Sequence, residues 1–254
     1  MRKGLTVLAV VSALCCAPLL HAQDLLGARL QADAMGSIKP GAYLAGDTIR
    51  FLLDKYGSTK FLLRFAGDPE IYVLYADRAS LGGRVLKYDT GSTVISIAGW
   101  GGMTIYTDSH PEGLPTVRTG DSNTPSLQPV TLGDAQNAES DEEKHLSYAH
   151  RYKIAVNAAW NEIAQNADER AQAFDTMQNT IRGLDRFSTW PQGRVALGKI
   201  DTVNIVITGG RPTASVNGKT LVVTYNKAQG FAGRASSRAI ARALGLLLHV
   251  KPPN

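Results

Sequence analysis

Residues 61–108 read FLLRFAGDPEIYVLYADRASLGGRVLKYDTGSTVISIAGWGGMTIYTD, and this stretch decides the fold of the chain. Short runs of apolar, β-branched and aromatic residues alternate in it with Gly-Asp-Pro, Leu-Gly-Gly, Thr-Gly and Gly-Trp-Gly-Gly. Runs of about five to seven such residues, separated by turn-forming residues about every 8 to 12 positions, are typical of antiparallel strands. Together with TIRFLLD at residues 48–54, the pattern predicts a β-meander of about five or six strands over residues 48–108.

The Gly-Trp-Gly-Gly segment at residues 99–102 separates two of these strands, Val94–Ala98 and Met103–Thr107. Glycine permits a positive φ and close backbone approach, which a tight link between strands requires. No helix follows the glycines, so the segment offers no helix N-terminus to a phosphate group. We interpret it as a turn with Trp100 folded over the end of the sheet. The alternative is an exposed aromatic side chain used in recognition.

The run IYVLYA at residues 71–76 is apolar on both alternating faces, which indicates a strand that is covered on two sides. A long helix over residues 141–187 is the predicted cover. Ser140–Glu143 resembles a capping box at its start. Its apolar stripe recurs at steps of three and four residues: Trp160, Ile163, Ala167, Ala171, Phe174, Met177, Ile181 and Leu184. Such a helix would be about 65 to 70 Å long, so we expect a bend or break near residues 166–168.

The rest of the chain completes the predicted architecture. Residues 23–45 show no sustained period and are expected to form an irregular arm, and residues 109–139 are expected to be a polar linker. Asn217-Gly218 between two alternating runs predicts a β-hairpin over residues 200–226, and a helix is expected over residues 234–249. The predicted class is α+β: one domain, residues 46–254, with an antiparallel β-meander packed against a long helix, and a C-terminal β-hairpin and helix.

The N-terminus has the layout of a secretory signal peptide. Two basic residues precede an uncharged apolar run, and a small residue, Ala22, stands at a plausible cleavage point. The only cysteines, Cys15 and Cys16, lie inside this segment, so a mature chain from Gln23 would contain no disulfide and no thiolate site. We therefore expect a signal peptide at residues 1–22, a periplasmic or secreted protein, and no integral membrane segment after cleavage.

Motifs for common chemistries are absent or out of place. Gly120-Asp121-Ser122 resembles an esterase nucleophile motif, but it lies in a polar linker and no Asp-x-x-His follows. Gly218-Lys219-Thr220 lacks the upstream glycine of a phosphate-binding loop. His145 and His150 are five residues apart, which separates them by about 140° around a helix and is poor for sharing a metal. We expect no cofactor and no bound metal.

Two sets of residues remain as candidates for function. Asp77, Asp89 and Asp108 lie at predicted strand ends, where a pair of carboxylates could support hydrolysis, although strand-end aspartates are more often turn caps. Arg234, Arg238 and Arg242 recur every four residues and would line one face of the last helix. Such a stripe is either a solvated face or a contact for an anionic partner, with Trp100 as a further candidate contact.

The block from residue 61 to residue 108, with HPEGLPTVRTG at residues 110–120, resembles a family of exported proteobacterial proteins known only as a domain of unknown function. The shared features are a Leu-Leu-Arg-Phe strand, a Gly-x-Pro-Glu turn and a Gly-Gly-hydrophobe-Thr strand. The resemblance implies export and provides no catalytic residue.

We therefore expect an exported soluble protein that acts as a non-catalytic binding or structural module of the cell envelope. Its partner would be an envelope protein or an anionic surface. Nucleic acid is not expected, because removal of Arg2 and Lys3 with the signal peptide leaves a net charge of only +3 from the +5 of the whole chain, without basic runs interleaved with aromatics. The alternative function is a small periplasmic hydrolase that uses the strand-end carboxylates.

Overall fold

The computed structural model describes residues 38–123 and 125–253. The predicted signal peptide, residues 1–22, and the first part of the predicted arm, residues 23–37, lie outside the described residues.

The first half of the described chain is a closed barrel of eight antiparallel strands, in which each strand pairs with the next and the last pairs with the first. The strands are β1 (Gly41–Ala45), β2 (Ile49–Tyr56), β3 (Lys60–Phe65), β4 (Tyr72–Arg78), β5 (Arg84–Lys87), β6 (Thr93–Ile97), β7 (Met103–Thr107) and β8 (His110–Gly120). Large apolar side chains of the barrel are fully buried, among them Phe51, Leu53, Leu63, Leu74, Leu86, Ile95 and Ile105. The predicted antiparallel connectivity is present, but the prediction of a meander packed against a long helix is wrong. The sheet closes on itself, which removes its edges and fills its interior with its own side chains.

Closure depends on two strands that the sequence pattern did not indicate. β1 lies within the predicted arm and β8 lies within the predicted linker. β8 contains Pro111, Gly113 and Pro115, residues that normally argue against a strand, and its pairing with both neighbours is interrupted by shifts of register. These irregularities hide the strand from a search for simple alternation.

The second half forms a four-stranded sheet with helices, in the strand order β11-β12-β10-β9. Its elements are α1 (Leu132–His150), β9 (Ala155–Ala158), α2 (Ala167–Ser188), α3 (Gly193–Leu197), β10 (Thr202–Ile207), β11 (Ala214–Asn217), β12 (Thr220–Tyr225), a 3-10 segment (Lys227–Gly233) and α4 (Ser237–Leu247). β10 runs parallel to both β9 and β12, whereas β11 and β12 form an antiparallel hairpin. None of the helices in these described parts is both long and apolar enough to cross a membrane.

The predicted helix over residues 141–187 is two helices separated by a strand. α1 begins nine residues earlier, with Thr131 as its N-cap, and ends where Arg151 adopts a left-handed conformation (φ 68°). α2 begins at the predicted break, capped by the Asn166 side chain. Trp160 lies between the two helices, and its indole nitrogen donates to the carboxylate of Glu139. The apolar period therefore included residues outside a helix, because buried residues such as Trp160 can fall by chance on the helical repeat.

The C-terminal predictions are closer to the structure. The hairpin turn has Gly218 and Lys219 as its central residues, and of these only Gly218 has a positive φ (62°), as in a type II′ turn. The last helix is shorter than predicted and begins after the N-cap Ser236. The outer face of β4 is covered, as expected, but by Phe231 and Ala232 of the 3-10 segment and not by a long helix.

Candidate functional site

The three strand-end aspartates lie toward two different rims of the barrel. Consecutive strands of an up-and-down barrel run in opposite directions, so the ends of β5 and β7 share one rim and the end of β4 faces the other. Asp89 and Asp108 follow β5 and β7, whereas Asp77 lies near the end of β4 and pairs with Lys87 at 2.8 Å. The structure therefore does not bring the three candidate catalytic acids together.

The rim that carries Asp89 is joined to the start of α4. Asp89 accepts hydrogen bonds from the backbone N–H (2.8 Å) and the hydroxyl (2.6 Å) of Ser236. Glu70, on the link between β3 and β4, binds the N–H (2.8 Å) and the hydroxyl (2.6 Å) of Ser237 in the same way. Both carboxylates stabilise the helix because its first N–H groups have no partner inside the helix and its N-terminus is positive.

Arg234 is a structural residue of this junction. Its side chain is only 1% exposed, lies in ion-pair contact with Asp175, and donates a hydrogen bond to the carbonyl oxygen of Ile71 at 2.9 Å. It also precedes α4, so it does not extend the helical stripe of the other two arginines. The expectation that Arg234 is available to a partner is wrong, because burial and pairing remove its guanidinium from solvent.

Arg238 and Arg242 point toward the barrel rim. A guanidinium nitrogen of Arg238 lies 2.6 Å from the Asp108 carboxylate, and its guanidinium stacks 4.6 Å from the centre of the Tyr88 ring. Arg242 donates a hydrogen bond to the carbonyl oxygen of Thr90. The cation–π contact and the ion pair together orient Arg238.

A third arginine, Arg186 of α2, joins this cluster and lies 3.0 Å from the same oxygen of Asp108. Burial is the largest influence on the Asp108 carboxyl and acts to raise its pKa, but the hydrogen bonds and charges of Arg238 and Arg186 outweigh it and hold the pKa below the ordinary 3.8. Three guanidinium groups with one carboxylate leave an excess of two positive charges.

These residues line a groove that extends on both sides of the contact between Asp108 and Arg238. One side is a cavity of about 560 Å³ against the barrel wall, and the other is a cavity of about 710 Å³ between the rim and the helices. The two cavities share Ser92, Asp108 and Arg238. The larger cavity is also lined by apolar residues, namely Trp190, Leu246, Val250, Pro252 and Pro253. The groove, defined by these lining residues, thus combines apolar walls with a positive centre.

The remaining sequence candidates lie elsewhere. Trp100 is 84% exposed on the link between β6 and β7, so it is not folded over the end of the sheet. His145 and His150 both direct Nε2 to the carboxylate of Asp185, at 3.1 Å and 2.8 Å, despite their spacing of five residues. Among the residues that the structure describes, no group of three or more histidine, cysteine, aspartate and glutamate side chains is arranged to hold a metal ion.

Sequence reasoning missed Arg186 and the two serines at the start of α4. Arg186 is separated from Asp108 by 78 residues and belongs to a different element, so no local spacing relates them. Ser236-Ser237 before an apolar helical run is an N-cap signal that could have moved the predicted helix start from residue 234.

Comparisons with known proteins give one family. No curated protein matches the chain, and no solved structure matches it. A family model with the description "Domain of unknown function (DUF4908)" matches residues 23–244, which is most of the chain. The chain therefore belongs to the DUF4908 family of proteins, whose shared domain has no assigned function.

Proposed function

We propose that this protein is an exported, non-catalytic binding module that holds an acidic peptide segment of an envelope protein in the groove. The observation that carries the proposal is the arginine cluster: Arg186, Arg238 and Arg242 face the groove, and Asp108 is the acid with which two of them pair. Guanidinium groups bind carboxylates with two parallel hydrogen bonds, so an arginine-rich groove favours carboxylate-bearing ligands.

The shape of the groove supports a linear ligand. Two cavities meet at the contact between Asp108 and Arg238, so an extended chain could lie across this point with side chains on either side. Trp190 and Leu246 provide apolar surface in the larger cavity. A peptide with acidic and apolar residues would match both the charge and the walls of the groove.

The contacts of the carboxylates favour binding over hydrolysis. The Asp89 carboxylate already accepts a hydrogen bond from the Ser236 hydroxyl, and Asp77 lies toward the rim opposite Asp89 and Asp108. The lowered pKa of Asp108 keeps this group ionised at neutral pH, so it is unsuited to act as a general acid. Export is supported by the signal-like segment and by the family match, which begins at Gln23, the first residue of the predicted mature chain.

The test is titration of the mature protein with short glutamate oligomers, followed by calorimetry. We expect saturable binding that weakens with salt, and none of comparable strength with glutamine oligomers. Arg242→Gln is the most informative variant, because Arg242 is exposed and contacts the barrel through one carbonyl oxygen. Loss of a charge-assisted hydrogen bond of about 1.5 to 3 kcal/mol should weaken binding by about tenfold or more.

Arg64→Gln is the matched control, since Arg64 is an exposed arginine on the barrel wall at β3. Its affinity should equal that of the wild type. Equal affinity of Arg242→Gln and the wild type, or no saturable binding of glutamate oligomers at low salt, would show that the groove does not bind acidic chains.

A further inference from the structure

A second surface lies at the barrel rim opposite the one that carries Asp89 and Asp108. It is formed by the link between β4 and β5, residues 79–83, and the link between β6 and β7, residues 98–102; we name these two links the tip. Leu81 is 89% exposed and Trp100 is 84% exposed, so each link presents one large apolar side chain to solvent. Neither side chain contributes to the core of the barrel.

The two links of the tip pack directly against each other through glycine backbone. A Cβ atom at Gly99 would lie 2.5 Å from the carbonyl oxygen of Leu81, and one at Gly83 would lie 2.7 Å from the carbonyl oxygen of Ile97. Only glycine permits this approach. The close packing holds the backbone of the two links together, with Leu81 on one link and Trp100 on the other.

Leu81 adopts a left-handed conformation, with φ 55° and ψ 36°. This conformation is uncommon for a residue with a Cβ atom, and strained residues of this kind cluster at functional surfaces. The strain is not offset by burial of the leucine side chain, because that side chain is exposed. The conformation therefore has no evident role in the stability of the barrel.

Two arginines flank the first link of the tip, residues 79–83. Arg78 at the end of β4 is paired in register with Arg84 at the start of β5, so two like charges face each other across the ladder. Such a pair destabilises a sheet unless an anion lies near it. The nearest acid in sequence, Asp77, is engaged by Lys87.

From this arrangement we infer that the tip docks the barrel on an anionic lipid surface. Trp100 and Leu81 enter the interfacial region, where tryptophan is the favoured aromatic residue, and Arg78 and Arg84 bind lipid phosphate groups. A protein partner fits the tip less well, because two side chains on adjacent links bury far less than the ~1,200 Å² of a stable protein interface. Lipid docking needs only a few inserted side chains and neighbouring cations.

The test is co-sedimentation of the mature protein with vesicles of phosphatidylglycerol and phosphatidylcholine, compared with phosphatidylcholine alone. Trp160 is buried and Trp190 is half-buried, so a blue shift of the emission on binding reports mainly Trp100. We expect binding to the anionic vesicles with a blue shift, and much weaker binding to phosphatidylcholine. Arg78→Gln and Arg84→Gln should each weaken binding to anionic vesicles by about fivefold.

Trp100→Ala should lower partitioning by about tenfold or more, since a large aromatic side chain no longer leaves water. Tyr148→Ala is the matched control, because Tyr148 is 89% exposed on α1, away from the tip, and its loss should not change partitioning. Arg64→Gln is the control for charge, because it removes one exposed arginine outside the tip and should partition as the wild type does. Absence of wild-type binding to anionic vesicles, equal binding to both vesicle types, or equal binding by Trp100→Ala and the wild type would each overturn the inference.

Discussion

Replacement of Glu70 by alanine is expected to lower the free energy of unfolding by about 3 kcal/mol. Glu70 is 1% exposed and joins the barrel to the N-terminus of α4. Its two carboxylate oxygens accept hydrogen bonds from the backbone N–H of Ser237 at 2.8 Å and from the Ser237 hydroxyl at 2.6 Å. Alanine would leave both donors buried without this acceptor.

The magnitude follows from those two donors. A buried hydrogen-bonding group without a partner costs about 1 to 3 kcal/mol, which gives about 2 to 6 kcal/mol for the pair. Part of this cost is offset, because burial makes the charged carboxylate itself unfavourable. The same burial raises the pKa of Glu70 above its ordinary 4.5, although Ser237 and Arg234 act in the opposite direction. A net loss of about 3 kcal/mol remains.

Urea unfolding at neutral pH, followed by circular dichroism, measures this change. Asp77→Ala is the control, since Asp77 is an exposed acid near the other rim and should change stability by no more than about 0.5 kcal/mol. The double variant with Ser237→Ala should be more stable than the sum of the two single effects predicts, because both changes remove the same contact. A loss for Glu70→Ala no larger than that for Asp77→Ala, or strict additivity with Ser237→Ala, would refute the reasoning.

The raised pKa also sets the sign of a pH effect. The folded state favours the protonated form of Glu70, so the extra stability that protonation of this group provides is full below pH 4.5 and is lost as the pH rises through the folded-state pKa, while its hydrogen bonds to Ser237 remain. Glu70→Ala should lack this decline. The pH dependence of the urea midpoint in the two proteins compares them directly.

Three further changes have defined outcomes. Trp160→Ala should lower the melting temperature of the whole protein, because loss of a buried aromatic side chain costs about 3 to 5 kcal/mol; a change in self-association alone, measured by sedimentation, would contradict this. Asp108→Asn should flatten the loss of stability as the pH falls below 3.8, because the lowered pKa of Asp108 makes its pairing with Arg238 stabilising above that pH; identical acid unfolding of the two proteins would exclude such a contribution. N-terminal sequencing of protein recovered from its host should begin at or next to Gln23, and an intact Met1 on exported protein would contradict the signal-peptide prediction.

The local sequence pattern predicts structure correctly where the structure depends on interactions between residues close in sequence. The links that contain Gly101 and Gly218 are turns, and both glycines have a positive φ, which depends only on a few adjacent residues. The stripe from Ala171 to Leu184 lies on one helix, because its period is set by the helix itself. The same method failed at Trp160, where an apolar residue outside the helix happened to match its period.

The candidate groove could be predicted only in pieces. The sequence indicated three of its residues, but for different functions. Arg238 and Arg242 were candidates for contact with an anionic partner, whereas Asp108 was a candidate catalytic acid. The structure joins Arg238 to Asp108 across 130 residues of sequence. Arg234, which shares their spacing, is instead buried against Asp175, because the helix begins after it.

The sequence by itself therefore determined the strands with regular alternation, their tight links, the apolar stripe of α2 and the residue types available for binding. Tertiary structure alone decided that β1 and β8 close the barrel and that α4 meets its rim. Secondary-structure propensity, turn-forming residues and apolar periodicity each depend on a few adjacent residues, so they can be recognised in the sequence. Closure and docking are pairings between distant segments, and their free energy comes from contacts that exist only once the chain has folded.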